Sequence, residues 1–172
     1  LDGFVVDAES EWKKPGMGVK AAQFMTLLRK GVGLDLPVGL STYRWPSYHR
    51  EFPFSEFLEG CDFAMPQVYW LQAHNPAIQL ERCLREYAAL EVKKPIFPTG
   101  ACYREHNWQP AAVEISEFLH ACKSLGLQGC NFWEWANARA YVLDGWNTIS
   151  RFRWDEVAVK GLPARVLASG LR

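Results

Sequence analysis

Five short segments rich in β-branched and aromatic residues recur along this chain, and each is followed by a stretch patterned to bury one face of a helix. The strand-like segments are GFVVDAE (3–9), LPVGLSTY (36–43), CDFAMPQVYW (61–70), KPIFPTGACY (94–103) and QGCNFWEWAN (128–137). Helices are predicted over 19–30, 54–58, 76–90, 110–125 and 147–154. In the fourth of these, Val113, Ile115, Phe118, Leu119, Cys122 and Leu125 form an apolar stripe, Pro110 suits the first turn and Gly126 is placed to end the helix. Ile78, Leu80, Cys83, Leu84, Tyr87 and Leu90 do the same over 76–90.

Strand and covering helix in strict alternation imply a parallel sheet with right-handed crossovers. A doubly wound open sheet and a (β/α)8 barrel both satisfy that pattern. The strand ends separate them: Asp7 and Glu9, Thr42 and Tyr43, Gln67 and Tyr69, Thr99 and Tyr103, Asn131, Trp133 and Trp135 all carry polar or aromatic groups. A barrel brings the carboxyl ends of many strands to one site, whereas an open sheet gathers its ligand groups at one switch point, usually beside a glycine-rich phosphate turn. No such turn is present, and the α/β (β/α)8 TIM barrel is the expected fold. A full barrel takes about 250 residues. Five units in 172 residues therefore predict an incomplete one, its fourth to eighth strands, over 1–154, with 155–172 as a tail outside it.

Composition narrows the function. With 49% hydrophobic residues the chain can bury one core, and Lys plus Arg equals Asp plus Glu at 19 each without a basic stripe. Neither nucleic acid nor an anionic membrane is an expected partner. No apolar run reaches the roughly 18 residues of a membrane span. The five cysteines are dispersed, with no histidine at metal-ligand spacing, so no metal or cofactor is expected. Eight tryptophans either enrich the core or offer flat faces to sugar rings.

Residues two apart on a strand face the same way, so Asp7 and Glu9 form a pair. Two carboxylates held close resist ionising together, and one that keeps its proton can hand it to a leaving oxygen, as glycosidic cleavage requires. The pair could equally cap the next helix or meet Lys13 and Lys14. After the second strand, STYRWPSYHRE (41–51) is dense in aromatic and hydrogen-bonding groups, a sugar-binding wall or a loop packed on itself. Tyr103, Glu105, His106 and Trp108 hold the matching place later. Glu134 is either a second rim acid or an ion-pair partner of Arg139.

The opening LDGFVVDAE resembles the fourth-strand signature of glycoside hydrolase family 18, the chitinases and their relatives, written D-G-x-D-x-D-x-E; Asp2, Gly3, Asp7 and Glu9 match, and Val5 replaces the middle Asp. Met65, Gln67 and Tyr69 are similar to the family's M-x-Y or Q-x-Y motif, and Gly129–Trp133 to its last-strand segment. The resemblance implies Glu9 as general acid/base, Asp7 as the carboxylate that orients the substrate's acetamido group, Gln67 and Tyr69 as its partners, and Trp133 as the floor under the sugar. Tyr43, Asn131, Trp135, Trp70 and Tyr103 complete the expected substrate-binding set. Val5 is expected to alter how Asp7 ionises and turns. A D-x-E pair on a barrel strand also resembles the family 25 lysozymes. The expected function is hydrolysis of an N-acetylated polysaccharide, chitin-like or peptidoglycan, and the alternative is a barrel that binds glycans without cutting them. Placement outside the cell or in its envelope follows from that substrate class alone.

Overall fold

The computed structural model describes residues 1–155. Its strands are β1 (Phe4–Asp7), β2 (Val38–Tyr43), β3 (Phe63–Val68), β4 (Thr99–Ala101) and β5 (Asn131–Trp133). They pair in chain order and all in parallel. Helices α1 (Met17–Val32), α2 (Phe54–Glu59), α3 (Pro76–Ala88) and α4 (Ala112–Ser124) connect them, and α5 (Trp135–Tyr141) and α6 (Leu143–Arg151) follow β5. The result is a curled half-barrel, an incomplete TIM-barrel-like α/β fold. The expected tail lies outside the described residues, apart from Asp155. No helix among the described residues is long and apolar enough to cross a membrane.

Period-two alternation sorts the strands into two faces. Val6, Leu40, Ala64 and Val68 point to the helices and are buried with Met25, Phe57, Leu80, Cys83, Ile115 and Phe118. The opposite, concave face carries Val5, Ser41, Met65 and Gln67 at intermediate or high exposure. There the ring of Phe63 lies across Gly39, where a β-carbon would stand 2.3 Å from its Cε2, and meets Phe97 edge-on at 5.5 Å.

Local chemistry explains the helix bounds. Pro76 opens α3. Glu114 reaches back to accept from the Ala111 N–H at 2.7 Å at the start of α4. Gly126, at φ +74°, ends that helix, with Gly126 and Leu127 N–H bonded to the carbonyls of Lys123 and Cys122.

Three expectations need correction. Residues 135–137 do not extend the last strand but begin α5, because the Glu134 carboxylate accepts from the N–H groups of Ala136 and Asn137 at 3.2 and 2.7 Å and turns the chain helical. Glu134 is thus a cap, not an ion-pair partner: Arg139 lies over the rings of Trp135 and Trp146 instead. The final helix, expected over 147–154, spans Leu143–Arg151.

One guanidinium ties α1 to the sheet. Arg29 donates to the carbonyls of Gly60 and Leu36 and to Asp62, whose same carboxylate oxygen accepts from the Val38 N–H at the head of β2. The hydrogen bond from Arg29, then that from Val38, holds the Asp62 carboxyl below the ordinary carboxylate value. A lowered value stabilises the fold above about pH 4 and loses that effect as pH falls through it. Asp62 is half exposed, so solvent weakens the pair, and Asp62→Asn is expected to cost about 1 kcal/mol at pH 7. Urea denaturation at pH 7 and at pH 3 checks this: the gap between variant and parent should narrow in acid.

Candidate active site

On the concave face, the register aligns Asp7 with Ser41 and Met65, and one step higher Tyr43 with Gln67, Thr99 and Asn131. Neighbours in such a row share a face, so β1, β2 and β3 aim their polar residues at one spot. Gln67 Nε2 donates to Glu9 Oε1 at 2.9 Å, to Asp7 Oδ1 at 3.2 Å and to Ser41 Oγ at 3.2 Å. Ser41 in turn donates to Asp7 Oδ1 at 3.0 Å. Among the described residues, Asp7 Oδ2 and Glu9 Oε2 have no protein partner, so one oxygen of each acid is left unbonded.

Glu9 stands just past the strand. Ala8 is fully buried and continues the ladder, its N–H donating to the Ser41 carbonyl at 3.1 Å. This anchored residue holds the two acids on the same side. Glu9 precedes the short 3-10 turn Ser10–Lys13, and its N–H donates to Glu11 Oε1.

Aromatic groups flank the acids. Tyr69 lies in their field: burial, then Tyr103, Asp7 and Glu9, push its phenol well above the usual tyrosine value, so it remains a neutral donor. Tyr103 meets Tyr69 edge-on at 5.6 Å and is itself pushed up to about 12, chiefly by burial. Tyr43 is raised by burial and then by Glu9 and Glu11; its ring stacks on His49 at 3.6 Å. Burial, then Lys13, lowers His49, and its Nδ1 accepts from Lys13 Nζ at 2.6 Å. Lys13 also lies over Tyr43, so it serves this stack rather than pairing with Asp7 or Glu9.

The remaining candidates divide. Trp133 ends β5 with 54% of its surface exposed. Asn131 shares the Gln67 row, but its amide donates to the carbonyls of Phe97 and Pro98. Trp135 belongs to α5, its ring 6.2 Å from Trp146. Trp70 is fully buried, 5.3 Å from Phe118, and offers no face to a ligand. It is a core residue because Val68 and Trp70 alternate onto the helix side of β3. Ser41, by contrast, joins the cluster although its residue type carries no signal; counting back two from Tyr43 would have placed it on the same face.

On the concave face Asp7 is exposed and Glu9 partly so. A cavity of about 940 Å³ lies elsewhere, lined by Lys14, Gly16, Ser47, Arg50, Phe54 and Glu86 among others. Among the described residues no group of three or more His, Cys, Asp and Glu side chains could hold a metal.

No protein-family model matches the sequence, and no curated protein matches it. Among solved structures, the chain is similar to the glycoside hydrolase domain of PgaB (BpsB) from Bordetella bronchiseptica. The TM-score is 0.51 at 11% sequence identity, over 78% of this chain and 44% of that one. A weaker likeness, with a TM-score of 0.46 at 12% identity, is to bee venom hyaluronidase in complex with a hyaluronic acid tetramer, covering 86% of this chain and 66% of that one. At 11% identity the likeness to the PgaB domain is one of fold, and the chain spans less than half the length of that domain.

Proposed function

We propose that the protein hydrolyses glycosidic bonds of an N-acetylated polysaccharide, chitin-like or peptidoglycan, with Glu9 as general acid/base and Asp7 as the assisting carboxylate. The observation that supports this most is the single Gln67 amide shared by Asp7 Oδ1 and Glu9 Oε1, which leaves one oxygen of each acid open on the concave face. In the reaction, Glu9 gives its proton to the leaving glycosidic oxygen. The substrate's acetamido oxygen attacks the anomeric carbon while Asp7 accepts from the acetamido N–H. Water, losing a proton to Glu9, then opens the cyclic intermediate and restores the acid with retained configuration. Tyr69, a neutral phenol, donates to the acetamido group, and Trp133 offers its exposed face to the sugar.

A glycan-binding barrel without catalysis is the second reading, and Val5 favours it. It is 44% exposed on the face below Asp7, so Asp7 has no acidic neighbour there with which to share a proton. Incubating the protein with chitin oligomers and with peptidoglycan separates the two. New reducing ends support the enzyme, binding without product supports the second reading, and neither outcome on any N-acetylated glycan removes both.

Gln67→Leu is expected to cut turnover by about 100-fold, since both acids lose the donor that fixes them. Gln67 is partly exposed, so the thermal unfolding midpoint should move little. A full loss of fold would instead make Gln67 structural.

A further inference from the structure

Among the described residues, Lys13 pairs with an imidazole rather than with a carboxylate: its Nζ donates to His49 Nδ1 at 2.6 Å. An ammonium has donors only, so the ring nitrogen that receives it carries a lone pair, and His49 is the neutral Nε2–H tautomer. The same imidazole stacks on Tyr43, with ring centroids 3.6 Å and planes 12° apart, and Lys13 Nζ lies 4.7 Å from the Tyr43 centroid. Amine, imidazole and phenol form one assembly. Burial first, then Lys13, keeps His49 below the ordinary histidine value; Arg44 adds to this, Glu51 and Glu86 oppose it, and the ring remains an acceptor at neutral pH.

The assembly borders Glu9 on two sides. Lys13 closes the short turn that Glu9 begins, in which the Trp12 N–H donates to the Glu9 carbonyl at 3.1 Å. Tyr43 pairs with Gln67 across β2 and β3, and Gln67 Nε2 donates to Glu9 Oε1 at 2.9 Å. Chain and sheet together root a flexible four-carbon stem one turn from the acid. An ammonium beside a carboxylate favours its ionised form, which weakens an acid that must hold a proton until the leaving oxygen takes it. The other carboxylates beside Glu9 are engaged: Asp7 shares Gln67 with it, and Glu11 Oε1 accepts the Glu9 N–H.

We propose that His49 is a positioning residue for the reaction: it holds the Lys13 ammonium on Tyr43 and away from Glu9, so that the acid keeps its proton. This rests on the glycosidase reading of the same site, in which Glu9 is the general acid. His49 acts through Lys13 alone. A histidine suits the part because it accepts from an ammonium without setting a third negative charge beside Asp7 and Glu9.

Turnover of chitin oligomers and of peptidoglycan fragments is followed against pH for His49→Phe, which keeps a flat ring on Tyr43 but cannot accept from Lys13. The basic limb of the pH–rate profile should move to lower pH by about one unit, so that turnover on that limb falls about tenfold. Adding Lys13→Met to His49→Phe should return the limb to the parent position, and His49→Gln, which retains an acceptor, should stay near it. A purely structural role would lower turnover at every pH without relief from Lys13→Met. A limb that does not move in His49→Phe, or moves and is not restored by Lys13→Met, overturns the proposal while the glycosidase reading stands. Carbon-13 NMR of the side-chain carboxyls gives a measure that needs no turnover, with the Glu9 signal identified by its loss in Glu9→Gln. That signal should titrate at lower pH in His49→Phe than in the parent and return when Lys13→Met is added. If the parent cuts neither glycan, the glycosidase reading falls, and the NMR shift alone decides whether His49 governs the proton on Glu9. Should His49→Phe not fold, His49→Leu takes its place in both measurements.

Discussion

Glu9→Gln is expected to lower turnover of an N-acetylated glycan by 10²- to 10⁴-fold, the usual contribution of a positioned acid or base. The substitution isolates chemistry from architecture. Glu9 Oε1 accepts from Gln67 at 2.9 Å, and a glutamine carbonyl can accept the same bond. The cluster with Asp7 and Ser41 is therefore kept. What disappears is the exchangeable proton. Dissociation constants for oligosaccharides should move by no more than a few-fold while product formation collapses. Turnover that persists at the parent rate would take the acid's role from Glu9. Loss of binding together with turnover would mean that its carboxylate holds substrate rather than protonating it.

Trp70→Ala is expected to produce the largest loss of stability, about 3–5 kcal/mol. The indole is fully buried against Phe118, so truncation removes apolar contact and leaves a void between β3 and α4. Against the roughly 5–15 kcal/mol that holds a domain of ordinary stability, that is a large share of the whole. Among the described residues its Nε1–H has no partner, so the native residue carries a penalty that Trp70→Phe would relieve. The phenyl ring leaves a smaller void, and the two effects should nearly cancel. Urea midpoints for the two variants check both statements. If Trp70→Ala kept its stability but lost glycan binding, the residue would return to the binding surface.

Trp70 also shows where sequence periodicity misleads. The run MPQVYW contains both faces of one strand, and a list of its aromatic residues does not separate Tyr69, on the acid side, from Trp70, on the helix side. Alternation from Gln67 does so at once. At the other end of the sheet the same alternation is the wrong guide: in NFWEWAN it predicts a continuing strand, whereas the Glu134 carboxylate caps two N–H groups and starts α5. A local hydrogen bond there overrides a two-residue pattern. The order of strands and helices was readable because the helical stretches alternate with the strand-like segments, and α3 and α4 each carry an apolar stripe. The convergence of Asp7, Glu9 and Gln67 was readable because parallel strands place their ends together. The part of Ser41 was not, since a serine carries no signal by type.

The contact between Phe63 and Gly39 bears on the acids above it. The ring occupies the volume that any β-carbon at position 39 would need, and it belongs to the same face as Met65 and Gln67. The missing side chain at 39 thus makes room for the ring on the concave face. A single added methyl group would stand within 2.3 Å of the phenyl ring, so the ring would have to shift on the face that also carries Asp7 and Ser41. The room that the phenyl ring takes below the acids is set here by an absence.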